Sequence, residues 1–263
     1  MLTNLGVKNE LIFVNYLNNK KVYQLNPLFR DLIDELFDCH ENDEVKCWKN
    51  DLPQKADIFI AINNQVKGIS IKMGAKNSAH VERITDFIHF LIECGIRREN
   101  VIRYLEYHYA DGTRNGKGIN RMSTEEYKVH NIEDINEINK DFNKAEITQK
   151  VINRFVIRGN NSDTDIDAII YGWVNDFLWI TKDDIIDIIS SKSGLQSSGV
   201  HFACLYCQPK ARNLNYNPKY EKDRYCVQIK WFSLFDDIIE HKNNKIMNSR
   251  QANNVDSITK KET

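Results

Sequence analysis

Asp57 and Lys72 stand fifteen positions apart, in Lys55-Ala56-Asp57-Ile58 and Gly68-Ile69-Ser70-Ile71-Lys72. The segments Asp57 to Ile62 and Val66 to Lys72 are short and rich in β-branched residues. Asn63-Asn64-Gln65 joins them, and asparagine accepts turn conformations, so the pattern predicts a β-hairpin. Side chains alternate along a strand, which puts Gly68, Ser70 and Lys72 on one face and Ile69 and Ile71 on the other. The apolar face can pack on a helix while the polar face stays open. Asp57 heads the partner strand, where the hairpin brings its carboxylate near Lys72. A carboxylate beside an ammonium and backbone carbonyls can hold Mg²⁺, a hard cation that takes oxygen ligands. Lys72 would then orient or help deprotonate an attacking water, while the metal stabilises charge growing on a phosphate. Without that chemistry the same residues form an ordinary amphipathic hairpin, with Asp57 capping a turn and Lys72 solvated.

Flanking elements must hold this hairpin. Val7, Leu11, Val14 and Leu17 recur at the spacing of one helical face. Asn26-Pro27 resembles an N-cap and first helical position, and Leu28, Phe29, Leu32, Ile33, Leu36 and Phe37 follow as an apolar stripe. After the hairpin, Asn77-Ser78 reads as a cap and Ile84, Phe87, Ile88, Leu91 and Ile92 as a third helix that Gly95 stops. Val101 to Tyr107 is expected as a strand and Asp111 to Gly118 as a loop. The residues between Glu125 and Lys150 are charged with weak periodicity and mark a soft boundary. Beyond it, Arg154–Arg158, Asp167–Tyr171, Phe177–Ile180, Val200–Tyr206 and Tyr225–Trp231 are expected as strands, with a helix near Asp183–Ile189. Trp173, Trp179 and Trp231 are expected in the core. From His241 the chain is polar without apolar spacing, so disorder is expected to Thr263.

The division is therefore residues 1–125 as a core carrying the hairpin, 126–240 as a β-rich completion with a recognition region, and 241–263 as a tail. A chain of 263 residues with 41% hydrophobic residues can bury a sizeable core. The start lacks a signal-peptide pattern and no stretch reaches membrane-spanning length, so a cytoplasmic protein with no membrane partner is expected. The six cysteines are scattered and expected to be free thiols. Cys204-x-x-Cys207 lacks a second pair at zinc spacing. A net charge of −1 excludes a globally basic nucleic-acid binder. Locally, Ile189 to Trp231 carries seven Lys or Arg against Glu221 and Asp223, whereas Ser162 to Ile189 carries seven Asp against Lys182. Gln208, Arg212 and Lys219 lie in the basic stretch. Lys can contact phosphate, and Arg and Gln can make paired hydrogen bonds to guanine and adenine; the same stretch also fits a long solvated loop.

With its helix, hairpin and helix in order, Gly6 to Gly95 resembles the active-site region of the PD-(D/E)xK nuclease superfamily. In that family an Asp opens one strand and an acid-x-Lys triplet lies on the next. The resemblance implies an α/β fold: a mixed central β-sheet flanked by helices, restriction-endonuclease-like, with a β-rich C-terminal half. It implies that Asp57, Lys72, Glu10 and Ser70 form the catalytic set, with Asp57, Glu10 and Ser70 on Mg²⁺ and Glu10 supplied by the first helix. Ser70 departs from the pattern, which has Asp or Glu there, and a hydroxyl binds metal more weakly. His80 and Glu82 either cap and solvate the third helix or sit beside the metal and the scissile phosphate. The implied function is Mg²⁺-dependent hydrolysis of DNA phosphodiesters, most concretely by a type II restriction endonuclease cutting a short site in double-stranded DNA. A homodimer matches the symmetry of such sites, and a cognate DNA methyltransferase in the same cell would protect them. The alternatives are a phage-defence or repair nuclease, and a DNA-binding protein on a decayed nuclease scaffold.

Overall fold

The computed structural model describes residues 5–74, 77–160, 164–194, 197–210, 212 and 217–259. Two helices come first, α1 (Leu5–Leu17) and α2 (Pro27–Leu36). Asn26 caps α2 as expected, its side chain accepting from Phe29 N at 3.0 Å, with Pro27 at the first helical position. Between them lies the short strand β1 (Lys20–Lys21), and β2 (Glu44–Lys49) follows. The hairpin forms where its sequence places it, as β3 (Ile58–Ile62) and β4 (Gln65–Lys72). Asn63 takes the left-handed conformation at its turn, φ 52°.

After β4 the chain forms β5 (Ser78–Arg83), and only then α3 (Ile84–Glu93) and α4 (Arg98–Tyr109). Two expectations change here. Asn77-Ser78 does not cap α3, because the residues after it pair as a strand. Val101 to Tyr107 is helical: Val101, Tyr104 and Tyr107 are buried at three-residue spacing, and that face outweighs the strand preference of their residue types. The charged stretch beyond it also folds, as α5 (Thr124–Phe142) and α6 (Ala145–Val151). Ser123 and Glu126 cap α5 reciprocally. Arg154–Arg158 is not a strand, since α6 runs on into a π-helical stretch, Ile152–Ile157.

Strands β6 (Ala168–Trp173) and β7 (Asp176–Thr181) precede α7 (Lys182–Ser191). Val200–Tyr206 divides at a turn, where Ala203 has φ 47°, into β8 (His201–Phe202) and β9 (Leu205–Pro209). β10 (Cys226–Lys230) and α8 (Leu234–Thr259) end the described chain. The expected disordered tail is thus helical to Thr259. His241 Nε2 lies 2.9 Å from Asp184 on α7, and Lys245 pairs with the same carboxylate. None of the described helices is long and apolar enough to cross a membrane.

Six strands form one sheet in the order β1-β2-β3-β4-β6-β7, antiparallel except where β4 runs parallel to β6. A second, antiparallel sheet has the order β5-β10-β9-β8. Ile69 and Ile71 join the core between the first sheet and α1 and α2, the packing expected of the hairpin's apolar face. Ile169 and Ile180 belong to a larger core that includes α3 to α7 and the inner face of the second sheet. Trp231 is in that core, whereas Trp173 is 45% exposed. The central sheet is thus covered on both faces, which suits a strand pair that is parallel.

Candidate active site

The hairpin ladder begins at Ile58, which pairs with Ile69, so Asp57 is the last residue before the strands diverge. Its backbone N–H still donates to Ile69 O at 2.9 Å. Beyond that point its carboxylate takes the place of a ladder carbonyl. Oδ2 accepts from Ile71 N at 2.6 Å and from the Ser70 hydroxyl at 3.0 Å, and lies 3.8 Å from Lys72 Nζ. The structure therefore brings Asp57, Ser70 and Lys72 together.

The polar face is a cleft rather than open surface. Ser70 is only 3% exposed, because Asn77, Ser78, Trp231 and Leu234 close over it. Next to it a cavity of about 380 Å³ is lined by Lys55, Asp57 and Lys72 from the hairpin side, by Ser78 to Val81 of β5, and by Arg158 to Asn160.

Glu10 on α1 is held by a lysine instead. Lys49 on β2 holds Glu10 at 2.9 Å, and this bond is the main cause raising the lysine's pKa, with Asp57 among the further carboxylates acting on it. Among the described residues there is no cluster of three or more His, Cys, Asp or Glu side chains suited to a metal. The Asp57 carboxylate and the Ser70 hydroxyl, 3.0 Å apart, are oxygen groups of the kind Mg²⁺ takes when water and substrate phosphate oxygens complete its shell.

Lys55, to which the sequence assigned no role, is half-buried at the cleft. Its Nζ donates to Ala79 O and Phe155 O, each at 2.6 Å, and lies 3.1 Å from His80 Nδ1. Burial, and then the neighbouring Lys72 charge, bring its pKa down to about 7. His80 stacks near Phe155, and burial lowers its pKa. On its other side Nε2 lies 3.5 Å from Glu82 Oε2. Glu82 also accepts from Arg154 at 2.8 Å and Asn160 at 2.5 Å. Burial works to raise the Glu82 carboxyl, but these hydrogen bonds outweigh it and hold it below the ordinary value. His80 thus lines the cleft while Glu82 points inward, and neither caps α3. Arg154 and Asn160 carry no local signal in the sequence, because their roles appear only when the π-helical stretch packs on β5.

The three recognition candidates separate. Gln208 on β9 faces Gln228 on β10, which faces Val81 on β5, so a row of two glutamines and a valine crosses the outer side of the second sheet. Lys219 is exposed beside the Tyr220 ring. Arg212 departs from expectation: it is buried, donates to Tyr107 O at 2.5 Å and stacks on the Tyr107 and Tyr127 rings. Such a guanidinium holds α4 and α5 and cannot reach a base edge. Asn213, Asn215 and Tyr216 of the same stretch lie outside the described residues. The six cysteines are free, as expected.

No protein-family model and no curated protein matches the chain. Among solved structures, it is similar to the restriction endonuclease MspI in complex with its cognate DNA, with a TM-score of 0.52, 15% identity, and coverage of 85% of this chain and 87% of that one. The mixed sheet flanked by helices is a restriction-endonuclease-like fold, as the hairpin and its flanking helices implied.

Proposed function

We propose that the protein is a Mg²⁺-dependent endonuclease that hydrolyses DNA phosphodiester bonds, most concretely a type II restriction endonuclease. The observation that carries this reading is the placement of Asp57 against Ser70 and Lys72 at the point where the hairpin strands part, in a fold shared with a DNA-cutting enzyme. Asp57 would hold Mg²⁺ with Ser70 and Glu10, and the metal would supply charge stabilisation for the phosphate. Lys72, whose Nζ lies 3.8 Å from Asp57 Oδ2, would orient the attacking water or help deprotonate it. His80 on β5, 3.1 Å from Lys55 Nζ, lines the opposite wall.

The outer row Gln208, Gln228 and Val81 extends from this cleft, offering amides for base edges, while Lys219 offers charge to phosphate. The solved neighbour is itself a DNA complex. Action on both strands of a symmetric site favours a homodimer, and a cognate methyltransferase would shield host DNA. Incubation with mixed plasmid DNA and Mg²⁺ tests this reading: discrete fragments support a restriction enzyme, and smears a defence or repair nuclease. Intact but bound plasmid favours a DNA-binding protein on this scaffold, a reading to which Ser70 at an acid position lends support.

A further inference from the structure

A second concavity lies at the far end of β5. It is a groove of about 770 Å³ between α3, α4 and the turn ahead of β10. Ile88 and Leu105 make its apolar walls and Tyr225, 40% exposed, presents a ring to it. Arg83, Arg114 and Lys222 stand on its rim, and no carboxylate is among its described lining residues. Glu106 fixes Arg114 at 2.7 Å. Flat apolar walls, an exposed ring and a cationic rim complement a ligand that is aromatic and anionic together.

The groove neighbours the cleft along β5. Val81 lines the cleft and Arg83 lines the groove. Two residues apart on one strand, they share a face, about 7 Å from each other. Measured along a duplex axis, one strand carries a phosphate every ~3.4 Å, so the two sites are within reach of neighbouring nucleotides of one strand.

We infer that this groove binds an unpaired nucleobase of the DNA strand that passes through the cleft, stacking it on Tyr225 with its phosphate between Arg83 and Lys222. The inference rests on the reading of the cleft as a DNA-cutting site. Aromatic stacking suits an unpaired base because every base has a π-face, and a paired base in the duplex interior cannot present it.

The test measures binding by the full chain in EDTA, where no cutting occurs, to a blunt duplex and to the same duplex with a short single-stranded tail. Wild type is expected to prefer the tailed probe. Tyr225→Ala should weaken tailed-probe binding by roughly 5- to 150-fold, the range for loss of one stacking ring, with blunt-duplex affinity unchanged. Tyr225→Phe should retain the preference. Lys222→Ala, at an exposed position, should lower the salt dependence of tailed-probe binding by about one counterion. If Tyr225→Ala and Lys222→Ala both bind the tailed probe as wild type does, the inference is overturned. Sedimentation showing that Tyr225→Ala dissolves a dimer with DNA affinity intact also overturns it, assigning the groove to a second copy. Failure to cut plasmid with a Tyr225-dependent tail preference intact would remove the nuclease reading and keep this one. Cutting with a tail preference independent of Tyr225 would do the reverse.

Discussion

Ser70 donates its hydroxyl to Asp57 Oδ2 at 3.0 Å, at a position where an acid would instead set two carboxylates face to face. With serine, the hydroxyl proton satisfies Asp57 and the pair is stable without a cation between them. An acid there would set two carboxylates against the single Lys72 ammonium, leaving a net like-charge repulsion that a metal or a proton relieves. Ser70→Asp should therefore tighten Mg²⁺ binding by titration calorimetry while lowering the Tm in EDTA. A variant with unchanged Mg²⁺ affinity would show that the metal does not sit at this pair.

Asp57→Ala and Lys72→Ala are each expected to abolish plasmid cleavage while leaving DNA affinity within a few fold, since their proposed roles are metal ligation and water activation. Wild-type cleavage by either would take the hairpin out of the mechanism. Glu10, held away by Lys49, is expected to contribute less than Asp57. Glu10→Gln should raise the Mg²⁺ concentration needed for cutting without abolishing it.

The proposed recognition residues and an architectural one divide within one basic stretch. Gln208→Ala should cost roughly 1–3 kcal/mol on the true site and little on random DNA. Lys219→Ala should weaken binding to all sequences alike. Arg212→Ala leaves Tyr107 O without its buried donor, and so should lower stability by about 2 kcal/mol rather than relax specificity. Denaturant unfolding beside competitive DNA binding separates the three.

Arg154→Met should destabilise the fold by about 3 kcal/mol, because it removes a cation from the inward-pointing Glu82 carboxylate. Thermal unfolding of Arg154→Met and of Arg154→Met/Glu82→Gln checks this. The double variant should recover part of the loss, having no stranded charge.

Asp141 ties α4 to the end of α5, accepting from Asn100 at 2.7 Å and pairing with Arg97 at 2.8 Å and Lys144 at 2.9 Å. Burial opposes ionisation, yet these partners together hold its pKa at about 2. A depressed carboxylate stabilises the fold above its unfolded pKa of about 4 and loses that contribution as pH falls through its folded value, for a total of about 2 kcal/mol. The stability gap between wild type and Asp141→Ala should narrow by about that amount between pH 6 and pH 2 in urea unfolding. A constant gap would mean that the carboxylate charge contributes nothing.

The hairpin and α2 were legible because their signals are local: alternation, a turn of asparagines, and Asn26-Pro27 at a helix start. Strand β5 was not, because nothing in Ser78 to Arg83 alternates strongly, and its strand state comes from pairing with β10, about 150 residues later. Val101 to Tyr107 misled because its residue types favour strands while its spacing belongs to a helix. Arg212 could not be told from a DNA-reading arginine, since its burial depends on rings at positions 107 and 127. Asp57, Ser70 and Lys72 meet as the sequence implied. Lys49 and Lys55 went unread because their partners lie on other elements.

The parallel pairing of β4 with β6 has a consequence for biosynthesis. Ile69 pairs with Ala168 and Lys72 with Tyr171, so one side of the hairpin has no partner strand until about a hundred further residues have been made. At ordinary ribosomal rates of ~5–20 residues per second, that side stays open for roughly 5–20 s. The hairpin itself can close quickly, but it does so as a bare, isoleucine-rich edge of the kind that pairs with other chains. A nascent chain halted before β6 should therefore aggregate or engage chaperones, and it becomes competent only when the second half of the chain arrives to cover it.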